Sequence, residues 1–334
     1  MKNVKIRDET SLLEKIDSEQ QTKCVADYHY LIVAGTTKAA TTSLFAYLAD
    51  HPAVCAATYK ETRFFLSDAY PLPSKYRYKG DAEEYNLLFS DSDETQLRME
   101  STPDYLYCEK ACERIAEFLP HAKLVFSFRE PISRLISWYR FAKQIGKLSQ
   151  TLSFDAYVEL LFTSVDCHRG NEEQHLQTLQ QGCYTIYLER YFTQFDPARI
   201  HVLFYEELAA HPLNAMTELC TFADIDADFY SHYAFEVTNR SQRMRNSELH
   251  RKYRDFRFRL RQWTHNKPIV HVPLRTIRRT IEPLYLRLNT QVDEKTQMSE
   301  ETRCRLMDYY KPDVHALGEL IGKPLPWETF VKSS

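Results

Sequence analysis

The sequence predicts an α/β fold in which helices cover both faces of a central parallel sheet. Short apolar runs rich in β-branched and aromatic residues alternate along the chain with segments of helical periodicity, which is typical of such a sheet. The first run, at about 28–34, meets a glycine, and a lysine and several hydroxyl residues then lead into a helical pattern. This is the order of a strand, an anion-binding loop and a helix N-terminus.

The remaining elements follow from the same alternation. Strands are predicted at about 54–57, 96–100, 123–128 and 200–204, and helices at about 42–51, 82–89, 109–119, 132–144, 152–162, 185–195, 212–222 and 299–321. Prolines mark two boundaries, because Pro120 ends one helix and Pro131 suits the first turn of the next. Gly322 and Pro324 stop the last helix.

Composition places the chain among soluble proteins with a substantial core. Its 334 residues are 43% hydrophobic and 27% charged, and no apolar run reaches the length of a membrane span. The polar segment 1–26 is predicted to be a lead-in without a signal peptide, and 27–334 a single domain. The eight cysteines have neither disulfide nor zinc spacing, so reduced thiols and a cytoplasmic location are expected.

Charge is unevenly distributed along the chain. Residues 240–279 contain thirteen Lys or Arg and two acids, a net charge of +11. Because the whole chain has a net charge of −3, the remaining residues have a net charge of −14. An apolar stripe of Tyr253, Phe256, Leu260 and Trp263 runs through this stretch at helical spacing. A solvated basic face is one interpretation of the segment 240–290. The other is a flap that grips an anionic acceptor, such as a glycan or a lipid-linked sugar at the inner face of a membrane. No nucleic-acid module is recognisable.

The loop after the first strand is the first candidate anion site. It runs through Gly35, Thr36, Thr37, Lys38, Ala39, Ala40, Thr41, Thr42 and Ser43. Backbone N–H groups at a helix N-terminus lack internal partners, and the lysine adds a full charge. A nucleotide triphosphatase is disfavoured, because no second glycine precedes Lys38 and Ala39 follows it where a Ser or Thr would hold magnesium. An ordinary turn with a solvated lysine is the alternative.

A second candidate anion site follows the strand at 123–128. Arg129 comes directly after this strand, and Ser133 and Ser137 lie one turn apart on the next helix. Carboxyl ends of parallel strands share one edge of a sheet, so Lys38 and Arg129 together suit a ligand with two anionic groups. The alternative is that Arg129 pairs with Glu130 or Glu100 and that Ser137 is a surface serine.

Taken together, these segments resemble the sulfotransferase family that uses 3′-phosphoadenosine 5′-phosphosulfate (PAPS), in particular its heparan and glycosaminoglycan branch, and a bacterial enzyme is expected. The resemblance covers about 28–240 and the C-terminal end. Its motifs fall, in order, at 38–44, 51–52, 60–65, 101–106, 123–139, 182–195, 206–208 and 321–327.

The resemblance implies a P-loop-like three-layer fold and transfer of a sulfuryl group from PAPS to an acceptor hydroxyl or amine, on a carbohydrate or glycolipid. The product would be adenosine 3′,5′-bisphosphate (PAP), and no metal is required. Glu61 would be the general base and Lys38 would stabilise the leaving oxygen. The nucleotide would be bound by the whole loop from Gly35 to Ser43, by Arg129 and Ser137, and by Tyr184, Asn239 and Ser241.

Three alternatives remain open at this stage. Glu61 could instead be a surface ion pair with Lys60 or Arg63. The chain could be a non-catalytic anion- or glycan-binding module of the same fold, or a small-molecule kinase that needs ATP and magnesium. One departure from the family pattern also matters: Ala40 stands where the loop usually has glycine, so weaker or rearranged nucleotide binding is expected.

Overall fold

A five-stranded parallel sheet forms the centre of the structure, a computed structural model that describes residues 28–70, 74, 76–80, 83–89, 96–166, 177–235, 243–244, 290–291 and 296–331. The strands are β1 (Tyr30–Gly35), β2 (Val54–Ala56), β3 (Leu97–Ser101), β4 (Lys123–Phe128) and β5 (Ile200–Phe204). They lie in the order β2-β3-β1-β4-β5. In register, Val33 of β1 lies between Ser101 of β3 and Val125 of β4.

Alternation along the central strand explains the three layers. All six residues of β1 are buried. Leu31 and Val33 pack into one apolar cluster, whereas Ile32 and Ala34 pack into another on the opposite face. A strand buried on both faces reads as a continuous apolar run, so the predicted parallel sheet is confirmed.

Helices enclose both faces of this sheet. They are α1 (Thr41–Ala49), α2 (Glu83–Asn86), α3 (Glu109–Phe118), α4 (Pro131–Gln144), α5 (Phe154–Asp166), α6 (Thr185–Gln194), α7 (Tyr205–Ala210), α8 (Pro212–Ala223), α9 (Glu300–Ile321) and α10 (Glu328–Val331). On one face α1 and α8 contribute Leu44 and Leu219; on the other, α4 and α6 contribute Leu135 and Leu188. Two residues of the basic segment form a short antiparallel pair, Arg243–Met244 with Thr290–Gln291.

The elements differ from the sequence prediction in three places, one of which is the four-residue α10, where no helix was predicted. The segment predicted as one helix at 82–89 is the four-residue α2 followed by a 3-10 turn, Leu87–Phe89. The helix α7 was not predicted, because its six residues are too few for periodicity to be visible. The lead-in 1–26, the remainder of 240–290, and the candidates Asn239 and Ser241 lie outside the described residues. None of the helices in the described ranges combines the length and apolar character needed to cross a membrane.

Candidate active site

The carboxyl ends of three neighbouring strands bring the predicted site residues to one edge of the sheet. The loop carrying Lys38 follows β1, and Arg129 follows β4 directly. The two meet, because an Nη of Arg129 lies 3.4 Å from the carbonyl oxygen of Lys38. The segment of Glu61 is fixed at the end of β3, since the Glu61 N–H donates to the Ser101 carbonyl at 2.8 Å. Open parallel sheets bind ligands at this edge.

The loop after β1 is tied closely to β4. The Thr36 N–H donates to the Ser127 carbonyl at 2.8 Å, and the Ser127 hydroxyl donates to the Ala39 carbonyl at 2.6 Å. The hydroxyl of Thr36 is hydrogen-bonded to Tyr107. A Cβ at Gly35 would lie 2.9 Å from the Cβ of Leu106, so only glycine fits where the strand ends. These contacts hold the loop in one shape without help from a ligand.

Ala40 adopts the conformation for which glycine is normally used. Its φ of 61° and ψ of 16° are left-handed, as is the φ of 71° at Lys38. Ala40 immediately precedes α1 and has no side chain that could cap the helix, so the first N–H groups of α1 have no side-chain partner there. The loop therefore reaches the backbone shape of an anion site despite the alanine, at a conformational cost of about 1–2 kcal/mol.

Lys38 is a cation without a carboxylate partner among the residues the structure describes. Its Nζ lies 4.2 Å from the centre of the Phe141 ring. Burial, followed by the nearby charge of Arg129, lowers the pKa of Lys38 to about 8, while the charge of Glu61 acts in the opposite direction. A bound anion would relieve this unfavourable environment, so the alternative of a solvated lysine is not supported.

Arg129 is held by its surroundings but is not neutralised by them. Its guanidinium carbon lies 4.2 Å from the centre of the Tyr205 ring, and its buried Nε has no hydrogen-bond partner. The alternative partners are engaged elsewhere. Glu130 caps α4 by accepting from the N–H groups of Ile132 and Ser133 at 3.1 and 2.7 Å. The donors of Arg129 thus remain available for an external anion.

Glu100, the other alternative partner, is a fully buried carboxylate surrounded by hydroxyl groups. It accepts from Tyr85 at 2.8 Å, Tyr105 at 3.0 Å and Thr102 at 3.1 Å, and also from Thr62. Burial raises the pKa of Glu100. The hydrogen bonds act in the opposite direction but are the smaller effect, so the pKa stays above its usual value. Glu100 therefore anchors the segment around Thr62 and does not neutralise Arg129.

Of two further predicted residues, Tyr184 contacts Arg129 and Ser137 lies on the helix that follows it. Ser137 is buried on α4, with 9% of its surface exposed, so it is not a surface serine. Tyr184 is fully buried, and its hydroxyl donates to the carbonyl of Arg129 at 2.6 Å. Tyr184 thus contacts the backbone of Arg129 directly.

Contacts from the C-terminal part of the chain fix the same region. The Asp313 carboxylate of α9 accepts from the N–H groups of Tyr184 and Thr185 at 2.7 and 3.1 Å. Glu206 accepts from the Glu130 N–H at 3.0 Å with one oxygen and from the Trp327 indole at 3.1 Å with the other. The strand-to-helix junction that carries Arg129 is thus braced from two sides.

A third cation, Arg134, was not assigned a role from the sequence. It is fully buried on α4 and donates to the Thr178 carbonyl, but its Nε and one Nη have no hydrogen-bond partner. Its charge contributes to lowering the pKa of Lys38. A buried arginine is normally paired, so an unpaired one adds to the positive potential of this edge.

Glu61 lies in the ion pair that was the alternative to a catalytic role. Its carboxylate contacts the Nζ of Lys60 at 3.1 Å and an Nη of Arg63 at 2.7 Å. Burial acts to raise the pKa of Glu61, but the charges of Lys60 and Arg63 outweigh it, so the pKa is lowered. The group is therefore ionised at neutral pH and is a weaker base than a free carboxylate.

A second carboxyl near Glu61 was missed in the sequence. Asp104 lies in the 3-10 turn Pro103–Tyr107, directly after β3, and accepts a hydrogen bond from the Tyr70 hydroxyl at 3.0 Å. Burial, and then the charge of Glu61, raises the pKa of Asp104 to about 6. Its motif was recognised, but nothing in the spacing distinguishes a buried aspartate from an exposed one. No cluster of three or more His, Cys, Asp or Glu suited to a metal ion occurs within the described ranges.

Comparisons with known proteins agree with this geometry. The model of the family described as "Sulfotransferase domain" matches residues 29–266. The chain is 25% identical over 219 residues to the bifunctional heparan sulfate N-deacetylase/N-sulfotransferase of Drosophila melanogaster, covering 62% of this chain and 21% of that protein. It is 29% identical over 182 residues to human heparan sulfate glucosamine 3-O-sulfotransferase 5, covering 54% of this chain and 49% of that protein.

The chain thus spans between about a fifth and a half of the length of these curated relatives. A crystal structure of a sulfotransferase from Alicyclobacillus acidocaldarius has the same fold, with a TM-score of 0.61, 19% identity, and coverage of 88% of this chain and 96% of that one. Because the family model matches well over half of the sequence, this chain belongs to the sulfotransferase domain family.

Proposed function

We propose that this protein transfers a sulfuryl group from PAPS to a hydroxyl or amine of a carbohydrate acceptor. The observation that carries the proposal is the contact between Lys38 and Arg129 at one edge of the sheet. An Nη of Arg129 lies 3.4 Å from the carbonyl oxygen of Lys38. Neither side chain is paired to a carboxylate of the described residues. Two unneutralised cations on separate loops suit a donor that carries phosphate at both ends.

The residues present fit such a donor. The N–H groups at the start of α1 and the Nζ of Lys38 would hold the 5′-phosphosulfate, while Arg129 and Ser137 would hold the 3′-phosphate. Tyr184 would keep Arg129 in place, and Asn239 and Ser241 would complete the nucleotide site, as the family resemblance implies. When bound, PAPS supplies the activated sulfuryl group, and PAP is the product.

The chain's own groups would supply the catalysis. Glu61 would accept the proton of the acceptor as the new bond to sulfur forms. Lys38 would stabilise the charge that develops on the departing phosphate oxygen, and the fixed loop would keep donor and acceptor in line. Lysine, arginine and backbone N–H groups would together neutralise the phosphates, without a metal ion.

A carbohydrate acceptor is supported by the relatives, whose names identify heparan sulfate as what they modify. The acceptor end of the site carries Lys60 and Arg63 beside Glu61, which suits a sugar bearing anionic groups. The basic segment 240–290 would add to this surface as a flap and could position a membrane-associated acceptor.

One observation favours a second function. Both oxygens of Glu61 are engaged by cations, as expected of a module that binds an anionic glycan without catalysis. Incubation with ³⁵S-labelled PAPS and a panel of acceptors separates the two functions. The panel should include desulfated heparan polysaccharide, its N-deacetylated form, a glycolipid and a simple phenol. Label in any product supports transfer, whereas PAP binding with no labelled product supports the module. A requirement for ATP and magnesium would instead identify a kinase.

Substitution of Glu61 tests the proposed base. Glu61→Gln should lower transfer by about 10²–10⁴-fold, the usual contribution of a general base. PAP affinity, measured by calorimetry, should be nearly unchanged. Glu113→Gln is a matched control, because Glu113 also pairs with a lysine, Lys110 at 2.7 Å, but on the exposed face of α3. Turnover of Glu61→Gln within a few-fold of the unsubstituted protein would show that Glu61 is not the base.

A further inference from the structure

Asp104 is placed where a second carboxylate can act on the proposed reaction. It follows β3 at the edge that carries the loops of Lys38 and Glu61, and only 8% of its surface is exposed. One carboxylate oxygen accepts from the Tyr70 hydroxyl at 3.0 Å. Within the described chain, no other hydrogen bond or ion pair engages this group. A buried carboxylate with one neutral donor is an unusual arrangement for a structural role alone.

Backbone contacts hold Asp104 beside Glu61. The Glu61 N–H donates to the Ser101 carbonyl at 2.8 Å, and the Arg63 N–H donates to the Thr102 hydroxyl at 3.2 Å. The segment around Glu61 is thus hydrogen-bonded to the two residues that immediately precede the turn containing Asp104. The charged and titratable groups that face Asp104 are Glu61, Tyr70, Arg63 and Lys60. Asp104 thus interacts with four side chains of the segment 60–70, which is hydrogen-bonded to the end of β3.

Glu61 needs such a neighbour if it is to accept a proton. Lys60 and Arg63 both stabilise the ionised form of Glu61 and so lower its pKa. A second negative charge nearby opposes them and raises the proton affinity of Glu61. The interaction is reciprocal, because the charge of Glu61 also contributes to raising the pKa of Asp104.

We propose that Asp104, held by Tyr70, is a positioning residue for the proton transfer, and that its negative charge partly offsets the two cations that bind Glu61 and so increases the proton affinity of Glu61. This inference rests on the proposed function. In the step it assists, the acceptor O–H or N–H bond breaks and its proton passes to Glu61. The acceptor atom forms a bond to sulfur, and the bond from sulfur to the 5′-phosphate oxygen breaks, with its electron pair remaining on PAP.

The proposal predicts how the pH dependence of transfer changes in two variants. With the unsubstituted protein, labelled PAPS and desulfated heparan polysaccharide, kcat should fall below about pH 6, where Asp104 becomes protonated. Asp104→Asn should lower kcat about three- to tenfold at pH 7.5 with little change in the KM for PAPS, and the acidic fall should move to lower pH. Tyr70→Phe should move it to higher pH, because the Tyr70 hydrogen bond lowers the pKa of Asp104.

Asp68→Asn is the matched control, since Asp68 is exposed on the same segment as Tyr70, and it should leave the profile unchanged. Misfolded variants would not be expected to move the acidic fall in kcat in opposite directions, so this result in the Asp104 and Tyr70 variants would not be explained by loss of folding. An unchanged pH profile and kcat in Asp104→Asn would overturn the proposal.

A measurement without substrate separates this proposal from the proposed function. In protein labelled with ¹³C at aspartate carboxyl groups, the resonance missing from Asp104→Asn should titrate near pH 6. In Glu61→Gln it should titrate at lower pH, because the charge of Glu61 is removed. If the titration of this resonance is not displaced in Glu61→Gln, the proposed coupling of the two carboxyls is refuted, even if transfer is observed. Absence of transfer to every acceptor, with the displacement present, would refute the proposed function instead.

Discussion

Replacing Ala40 by glycine should stabilise the protein, although glycine usually destabilises a helix. Ala40 has a φ of 61°, and a left-handed conformation costs a residue with a Cβ about 1–2 kcal/mol. Glycine removes this cost but adds about 0.4–1 kcal/mol of conformational entropy to the unfolded chain. The difference is a net gain of about 0.5–1 kcal/mol in the free energy of unfolding, or about 1–3 °C in Tm for a protein of this size.

The control for this prediction lies in the same helix. Ala46 has a helical backbone in the middle of α1, where glycine should destabilise by about 0.8–1 kcal/mol. Urea unfolding of Ala40→Gly and Ala46→Gly should therefore give changes of opposite sign. If Ala40→Gly were as destabilising as Ala46→Gly, the left-handed conformation of Ala40 would be wrong. We expect the PAP affinity of Ala40→Gly to change less than threefold, because the loop already has the required shape.

Two further predictions concern charges of the site. The pKa of Lys38, about 8, predicts that PAP affinity falls as pH rises from 7 to 9, since Lys38 loses its proton in this range. Calorimetry should find no such fall in Lys38→Met. An equal dependence of PAP affinity on pH in both proteins would contradict the prediction. Asp313→Asn should cost about 1–2 kcal/mol in urea unfolding, because one of the N–H groups of Tyr184 and Thr185 loses its acceptor and the other keeps only a neutral one. A change below about 0.3 kcal/mol would be evidence against this capping role.

The sheet and its two cationic loops could be predicted from the sequence for a definite reason. Buried parallel strands are continuous apolar runs, and the runs of β1 and β4 each lead into a loop that carries a cation, so these strands and their ends are visible in the sequence. Lys38 and Arg129 follow β1 and β4, which are neighbours in the sheet. Their meeting therefore depends on topology alone and not on side-chain packing.

The carboxylates of the site could not be predicted in the same way. Whether Glu61 faces an acceptor or its neighbours depends on side-chain conformation, and the structure pairs it with Lys60 and Arg63. Asp104 is buried and accepts a hydrogen bond from Tyr70, a contact between residues that are 34 positions apart. Neither fact is encoded in spacing. The left-handed backbone of Ala40 was likewise hidden, because a sequence shows the absence of glycine but not how the chain compensates.

The bracing of Arg129 by Asp313, Glu206 and Trp327 has a consequence for the order of assembly. β1 to β4 leave the ribosome early, yet two of the groups that steady the Arg129 junction, Asp313 and Trp327, are translated well after it. A nascent chain thus contains β1 to β4 well before the contacts of Asp313 and Trp327 can form. Protection of the protein by PAP should accordingly begin only once Trp327 has been synthesised.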